Sequence, residues 1–160
     1  MPHLSAYCAS KFAQVGLSEV LAEELRGRGI RVTTILPGLM RTGSHRQAWF
    51  KGQQPAEYQM FSLVGGLPVT SMSADRAARL ILSAAERGKG EAIIPFSVRQ
   101  IAKATAMLPN AAIAVMAATN RVLPGPGSKL AVQGKRMALS PVVAAAATLS
   151  ERAAERNNER

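Results

Sequence analysis

Near its N-terminus the chain reads Ser5-Ala6-Tyr7-Cys8-Ala9-Ser10-Lys11-Phe12-Ala13. Tyr7 and Lys11 are separated by about one turn of an α-helix, so a phenol and an ammonium group share one helix face. A cation beside a phenol favours the phenolate form. A tyrosine held in this way can exchange a proton with an alcohol or a carbonyl oxygen near neutral pH. The pair therefore predicts acid–base chemistry carried on a helix.

The residues that follow this pair predict an α/β fold. Residues 4–27 have apolar side chains at helical spacing and then two glycines, which predicts a helix with a C-terminal stop. Residues 30–36 are a β-branched run and predict a buried strand. A helix is predicted to begin at Ser73, and it connects the first strand to a second one at residues 91–95. We expect the two strands to be parallel, with a right-handed crossover between them.

The remaining segments have weaker patterns. Residues 38–72 read as irregular, and a long loop of this kind is typical of a lid over a binding site. Within it we predict two short helices, near residues 46–51 and 55–62. Residues 97–108 and 110–122 predict two helices separated by Pro109, and residues 128–150 are rich in alanine without a clear period.

Composition limits the class of protein. The chain has 160 residues, 48% of them hydrophobic, which is enough for one ordinary domain with a core. A single cysteine, Cys8, excludes an internal disulfide framework and fits a reducing compartment, so we expect a cytoplasmic protein. The net charge is +10, and no Asp or Glu occurs from Ala92 to Ser150. His3 and His45 are isolated and do not have the spacing of metal ligands, so we predict no metal site.

A second motif supports a family resemblance. Pro37-Gly38-Leu39-Met40-Arg41-Thr42 directly follows the first predicted strand, and Gly29-Ile30-Arg31-Val32 precedes it. Together with the tyrosine–lysine motif, this order closely resembles the short-chain dehydrogenase/reductase family over residues 1 to about 96. The resemblance implies interconversion of an alcohol and a carbonyl with NAD or NADP as cofactor. Its substrate would be a small alcohol or carbonyl compound, with an apolar or lipid-like one as a further expectation.

The resemblance also implies roles for particular residues. Tyr7 would be the catalytic general acid or base, and Lys11 would bind the nicotinamide ribose and favour the tyrosinate. Both residues would therefore contact the cofactor as well as serve catalysis.

Four further cofactor-binding residues are implied in the second motif. Pro37 and Gly38 would line the nicotinamide pocket. Met40 stands where the family usually has Val or Ile, whose backbone contacts the carboxamide. Thr42 would contact the carboxamide or the nearby phosphate.

The chain departs from the family in its phosphate-binding half. A strand followed by a glycine-rich turn and a helix is the usual cradle for a dinucleotide, and none occurs here. The family's serine, about a dozen residues before the tyrosine, and its upstream asparagine are also absent. We therefore expect a fragment: the C-terminal portion of a longer enzyme, inactive by itself.

The expected fold is α/β, the C-terminal part of a doubly wound Rossmann-type sheet with two parallel strands, flanking helices and a helical C-terminal tail. We divide it into a Rossmann-like part at residues 1–96, a basic helical extension at 97–150 and a flexible tip at 151–160. A homo-oligomer is expected for the complete enzyme of this family.

Two other functions stay open. The chain could be a non-catalytic scaffold of the same fold. Alternatively, the basic helices within residues 97–123 could bind an anionic membrane surface, although they could equally pack against protein. Nucleic acid is not expected as a partner because no aromatic stacking surface accompanies the charge.

Overall fold

A computed structural model describes residues 3–157 of the chain. Within this range they form two compact units, one made of residues 3–38 and Ala77–Val122, the other of Leu39–Arg76 and residues 123–157. The elements in chain order are α1 (Ser5–Arg26), β1 (Thr34–Pro37), β2 (Leu39–Arg41), α2 (Ser44–Gln47), β3 (Trp49–Gly52), α3 (Gln54–Gly66), β4 (Ser71–Ser73), α4 (Ala74–Glu86), β5 (Glu91–Ile94), α5 (Phe96–Met107), α6 (Pro109–Asn120), β6 (Ser128–Gln133), a 3-10 helix (Gly134–Arg136), α7 (Pro141–Ala146) and α8 (Thr148–Arg156).

The first unit contains the predicted parallel strand pair. β1 and β5 are parallel and in register from Thr34 opposite Glu91 to Pro37 opposite Ile94. The strand begins at Thr34 rather than at Ile30 because β5 has only four residues and offers no partner further upstream. Helix α1 packs on β1, and the Ser18 and Thr34 hydroxyls are 2.7 Å apart. The prediction of an α/β chain with parallel strands is confirmed, whereas the complete doubly wound sheet stays a prediction.

Four predicted helices are confirmed within a residue or two of their bounds. They are α1, α4, α5 and α6. The Ser73 hydroxyl accepts a hydrogen bond from the Arg76 amide at 3.4 Å, as expected of a residue that caps α4. Pro109 is the first residue of α6, where its missing N–H costs nothing.

The segment 38–72 is more ordered than its sequence predicts. It contains β2 and β4, which pair in parallel, as well as β3, which pairs antiparallel with β6. The helix predicted near residues 46–51 is wrong in its second half, because residues 49–52 form β3. Phe50 is buried there between exposed neighbours, an alternation typical of a strand. The helix predicted near 55–62 is confirmed as the central part of α3.

The C-terminal segment is not purely helical, which corrects the expected helical tail. β6 lies within it, and only after the 3-10 helix do α7 and α8 follow. The flexible tip was predicted from Glu151 onwards, but residues up to Arg156 belong to α8, whose Ala153 and Ala154 are buried. Residues 158–160 lie outside the described part. The division at residues 96 and 150 stays a prediction.

The second unit has a small aromatic core. The Phe50 ring meets Tyr58 and Phe61 edge-on, with centroids 5.5 and 5.8 Å apart. Ala147 and Ala154 are fully buried, so α7 and α8 approach α3 and β2 through small side chains. Close packing of this kind leaves little room for added volume.

No single helix among residues 3–157 is long and apolar enough to cross a membrane. Helices α5 and α6 reach the required length and composition only when taken together, and they are bent by 113° at their junction.

The contact between α3 and α7 generates a stability prediction. A Cβ added at Gly66 would lie 2.8 Å from Ala147 Cα and 3.1 Å from the Ala146 carbonyl oxygen. Both are backbone atoms, which cannot rotate away. We therefore expect Gly66→Ala to lower the free energy of unfolding by about 1 to 3 kcal/mol, measured by chemical denaturation.

Gly65→Ala is the matched control in the same helix. No atom lies within 4 Å of a Cβ at this position. Alanine is the better helix former, so the free energy of unfolding should stay unchanged or rise by up to about 1 kcal/mol. Equal destabilisation by the two variants would contradict the packing that the structure shows between α3 and α7.

Candidate active site

Tyr7 and Lys11 lie on one face of α1, as the spacing predicts. Lys11 Nζ is 5.5 Å from the centroid of the Tyr7 ring, within the range of a cation–π contact. The same ammonium donates a hydrogen bond to Gln14 Oε1 at 3.0 Å. Tyr7 is 57% exposed, so a ligand could reach its hydroxyl directly. Their roles in catalysis stay predictions.

Pro37 and Gly38 lie at the carboxyl end of β1. Pro37 is opposite Ile94, and the Gly38 amide donates to the Ile94 carbonyl at 2.7 Å. A Cβ at Gly38 would come within 2.7 Å of Val98 Cγ2. A glycine is therefore needed for the close approach of this turn to α5. In parallel sheets ligands bind at this end of the strands, which supports the prediction that the turn borders a cofactor.

Met40 and Thr42 belong to the second unit. Met40 is the middle residue of β2 and lies opposite Met72 of β4. The Thr42 hydroxyl oxygen accepts a hydrogen bond from the Ser44 amide at 3.4 Å, at the start of α2. Of the predicted site residues, Tyr7, Lys11, Pro37 and Gly38 therefore belong to the first unit, and Tyr7 contacts Lys11 there. Met40 and Thr42 belong to the second unit.

A cluster of polar side chains that the sequence did not predict lies in the second unit. Glu151 Oε1 is 2.6 Å from His45 Nε2, and Glu151 Oε2 accepts a hydrogen bond from Arg46. His45 is buried, and its ring stacks on Tyr58 with centroids 6.1 Å apart. The carboxylate and the histidine are more than a hundred residues apart in the chain, so no local spacing could indicate the pair.

The cluster changes the protonation of two of its members. Burial raises the pKa of the Tyr58 hydroxyl, and the negative charge of Glu151 raises it further. Burial also opposes ionisation of the Glu151 carboxyl, but the hydrogen bonds and charges of His45 and Arg46 outweigh it and hold its pKa below the usual value. Glu151 is therefore ionised and Tyr58 neutral near pH 7.

The same cluster borders a cavity of about 380 Å³. Arg46, Tyr58, Lys135 and Glu151 contribute polar groups to it, and Met137, Leu139 and Ala144 contribute apolar ones. Among residues 3–157, no group of three or more His, Cys, Asp and Glu side chains is placed to hold a metal ion.

Comparison with known proteins identifies the N-terminal third of the chain. Residues 1–52 match the family model for short chain dehydrogenase. D-threitol dehydrogenase of Mycolicibacterium smegmatis is 57% identical over 44 residues, which are 28% of this chain and 17% of that protein. The (S)-acetoin-forming diacetyl reductase of Staphylococcus aureus is 46% identical over 41 residues, 26% of this chain and 16% of that one. Dehydrogenase/reductase SDR family member 4 of Pongo abelii is 46% identical over 48 residues, 30% of this chain and 17% of that one.

These relatives are named as oxidoreductases, and that is the class of protein to which the tyrosine–lysine pair points. Residues 1–52 therefore match the short-chain dehydrogenase family, and within this segment the resemblance predicted from the sequence is confirmed. The matching segment spans 17% or less of each of these relatives. For residues 53–96 the resemblance stays a prediction. No solved structure matches the chain.

The cluster around Glu151 generates a prediction about pH. Because its pKa is lower in the folded state, Glu151 stabilises the fold above the ordinary carboxyl pKa of about 4.3, and this contribution is lost as pH falls through the folded pKa. Glu151→Gln should lower the free energy of unfolding by about 1 kcal/mol at pH 7, a value reduced for partial solvent exposure. The difference between the two proteins should shrink from pH 7 to pH 3, as followed by urea denaturation.

Glu155→Gln is the control, since Glu155 is exposed and lies on the same helix. It should change the free energy of unfolding by less than about 0.5 kcal/mol at either pH. If Glu151→Gln were neutral at pH 7, the ion pairs with His45 and Arg46 would contribute nothing to stability.

Proposed function

We propose that this chain carries the tyrosine–lysine half of an NAD(P)-dependent oxidoreductase that interconverts an alcohol and a carbonyl. The observation behind the proposal is the Lys11 ammonium beside the exposed Tyr7 ring, on a helix within the segment that matches the family. A phenol and an ammonium on one open helix face suit the hydroxyl-rich nicotinamide ribose and a substrate oxygen. The chemistry of these donors therefore fits one end of the cofactor.

In this proposal the bound cofactor supplies or accepts the hydride. Tyr7 donates a proton to the substrate oxygen during reduction and removes it during oxidation. Lys11 holds a positive charge next to the phenol and would donate hydrogen bonds to the nicotinamide ribose. Pro37 and Gly38 border the nicotinamide at the end of β1, while Met40 and Thr42 would add contacts to its carboxamide.

The class of substrate is proposed from the relatives. Their names refer to threitol and to diacetyl, a small polyol and a small diketone. A compact substrate with neighbouring oxygen atoms is therefore our first expectation for this site.

The phosphate end of the cofactor has no glycine-rich cradle among the 160 residues. We therefore propose that the isolated chain binds NADH or NADPH weakly and does not turn over substrate. Grafting the matching segment into D-threitol dehydrogenase, in place of that enzyme's own segment, would supply the cradle. The graft should then oxidise threitol.

Tyr7→Phe in this graft tests the catalytic role. Loss of the proton donor should lower kcat by about a hundredfold or more, with cofactor affinity changed less than about twofold. NADH formation followed by absorbance gives kcat, and fluorescence titration gives the cofactor affinity. Activity retained by this variant would refute the assigned role of Tyr7.

Lys11→Gln and Lys11→Arg provide the matched comparison. Glutamine removes the charge and should lower both kcat and cofactor affinity, whereas arginine should recover part of each. A graft that binds no cofactor and has no activity would instead favour the non-catalytic scaffold.

A second proposed function, contact with an anionic membrane surface, rests on α5 and α6. The exposed fractions of Phe96, Met107 and Ile113 are 66%, 80% and 67%. Helix α6 has no charged residue, and neither α5 nor α6 buries any side chain fully. Apolar side chains exposed to this extent are typical of an interaction surface.

Charge favours a bilayer over an apolar protein surface. Phe96, Lys103 and Met107 lie on one stripe of α5, because their separations of seven and eleven residues are close to whole numbers of turns. A lysine between apolar residues can extend its ammonium to the lipid headgroups. Arg99 also lies over the Phe96 ring, with Cζ 4.9 Å from the centroid. No acidic residue opposes these charges anywhere from Ala92 to Ser150.

Vesicle co-sedimentation of the full chain tests this second proposal. It should pellet with phosphatidylserine-containing vesicles more than with neutral phosphatidylcholine vesicles, and 0.5 M salt should release it. Lys103→Gln should reduce partitioning about fivefold, as expected for one basic residue near the surface. Lys89→Gln, which removes the same charge from an exposed lysine between α4 and β5, should have no effect. Equal pelleting with both kinds of vesicle, or none, would favour packing against protein.

A further inference from the structure

Three arginines line one cavity of the second unit. The cavity measures about 300 Å³ and is bordered by Arg41, Ser73, Leu149, Arg152, Ala153 and Arg156. All of its ionisable lining residues are cationic. It is separate from the cavity bordered by Glu151, and neither Tyr7 nor Lys11 contributes to it.

The backbone brings these groups together from distant parts of the chain. Arg41 and Ser73 are the last residues of the parallel strands β2 and β4 and lie opposite each other in register. Arg152 and Arg156 are four residues apart on α8, so they share one face, and α8 packs on β2. The cavity thus lies at the carboxyl end of a parallel strand pair, where open α/β folds bind ligands.

Arg41 is held in place before any ligand arrives. Its Nη1 donates to the Ser71 carbonyl oxygen at 2.7 Å and to the Ser71 hydroxyl at 3.1 Å. The Ser73 hydroxyl accepts from the Arg76 amide, so its own hydrogen can be donated to a ligand. A fixed guanidinium and a hydroxyl donor are suitable contacts for an oxyanion.

Like charges around one small space repel each other, and an anion between them removes that cost. Asp75 compensates for only part of the charge, with Oδ2 3.2 Å from Arg156 Nη2. Arginine forks match the geometry of phosphate oxygens better than lysine does. We propose that Arg41, Arg152 and Arg156 form a binding site for a phosphate group.

The phosphate could belong to the dinucleotide cofactor or to a separate small phosphate compound. Arg41 immediately precedes Thr42, which the family resemblance places near the carboxamide or a nearby phosphate of the cofactor. Arg152 and Arg156 lie outside the segment that matches the family. The proposal does not depend on turnover at Tyr7. If the site holds a phosphate of the cofactor, pyrophosphate and the dinucleotide should compete for it. If it holds a separate phosphate compound, both should bind at the same time.

Calorimetric titration of the full chain with inorganic phosphate and pyrophosphate, at constant ionic strength, tests the site. We expect saturable binding of one equivalent, tighter for pyrophosphate, that sodium chloride does not reproduce. Arg152→Gln should weaken it about tenfold or more, because a charge-assisted contact is lost. Asp75→Asn should strengthen it a few fold, because Arg156 is then released toward the ligand.

Arg136→Gln is the matched control, since Arg136 is exposed in the same unit and borders neither cavity. Unchanged affinity in both Arg152→Gln and Arg156→Gln, or a response that sodium chloride reproduces, would overturn the proposal. NADPH that competes with pyrophosphate would assign the site to the cofactor, and simultaneous binding would assign it to a separate phosphate compound. Pyrophosphate binding without any NADPH or NADH binding would uphold this site while counting against the proposed oxidoreductase function.

Discussion

The parallel pairing of β1 with β5 is the constraint on which the first unit depends. It joins strands more than fifty residues apart and carries the chain to the Pro37–Gly38 turn. The turn is closed by the hydrogen bond from the Gly38 amide to Ile94, and Val98 leaves no space for a side chain at Gly38. Helix α1 is attached to the same strand through Ser18 and Thr34. One short strand therefore positions both the helix of Tyr7 and the turn of the second motif.

In the second unit a single carboxylate has the corresponding importance. Glu151 binds His45 and Arg46 at once, and so joins α8 to α2. The contact is only partly shielded from water, so its contribution to stability is modest. The contact nevertheless favours one arrangement of α8 against α2. Without the carboxylate, Nε2 of the buried His45 would lose this hydrogen bond. This explains why the last helix of the chain is ordered although its sequence resembles a solvated, mixed-charge end.

Local signals predicted the parts of the fold that local forces determine. The apolar spacing of α1 and α4, the glycines after them and Pro109 before α6 are all read within a few residues, and those helices occur as predicted. The strands β2, β3, β4 and β6 were missed because their partners are distant in sequence and each has at most six residues. Trp49 and Phe50 were assigned to a helix for the same reason, since only the pairing with β6 makes them extended. The positions of Tyr7 and Lys11 followed from helical spacing, whereas the clusters around Glu151 and Arg152 could not, because no sequence period relates α8 to residues 41–46.

The two units also differ in what a family relationship can explain. The match to short-chain dehydrogenases covers residues 1–52, and hence α1, β1 and the turn that follows it, which carry the proposed proton transfer. Both cavities of the second unit combine residues from inside that match, Arg41 and Arg46, with residues far outside it on α8. Arg41 and Arg46 thus lie inside the matching segment, whereas their partners on α8 belong to a part of the chain that the match does not cover. A ligand in either cavity would therefore contact residues on both sides of the limit of the match, so the match alone does not account for either cavity.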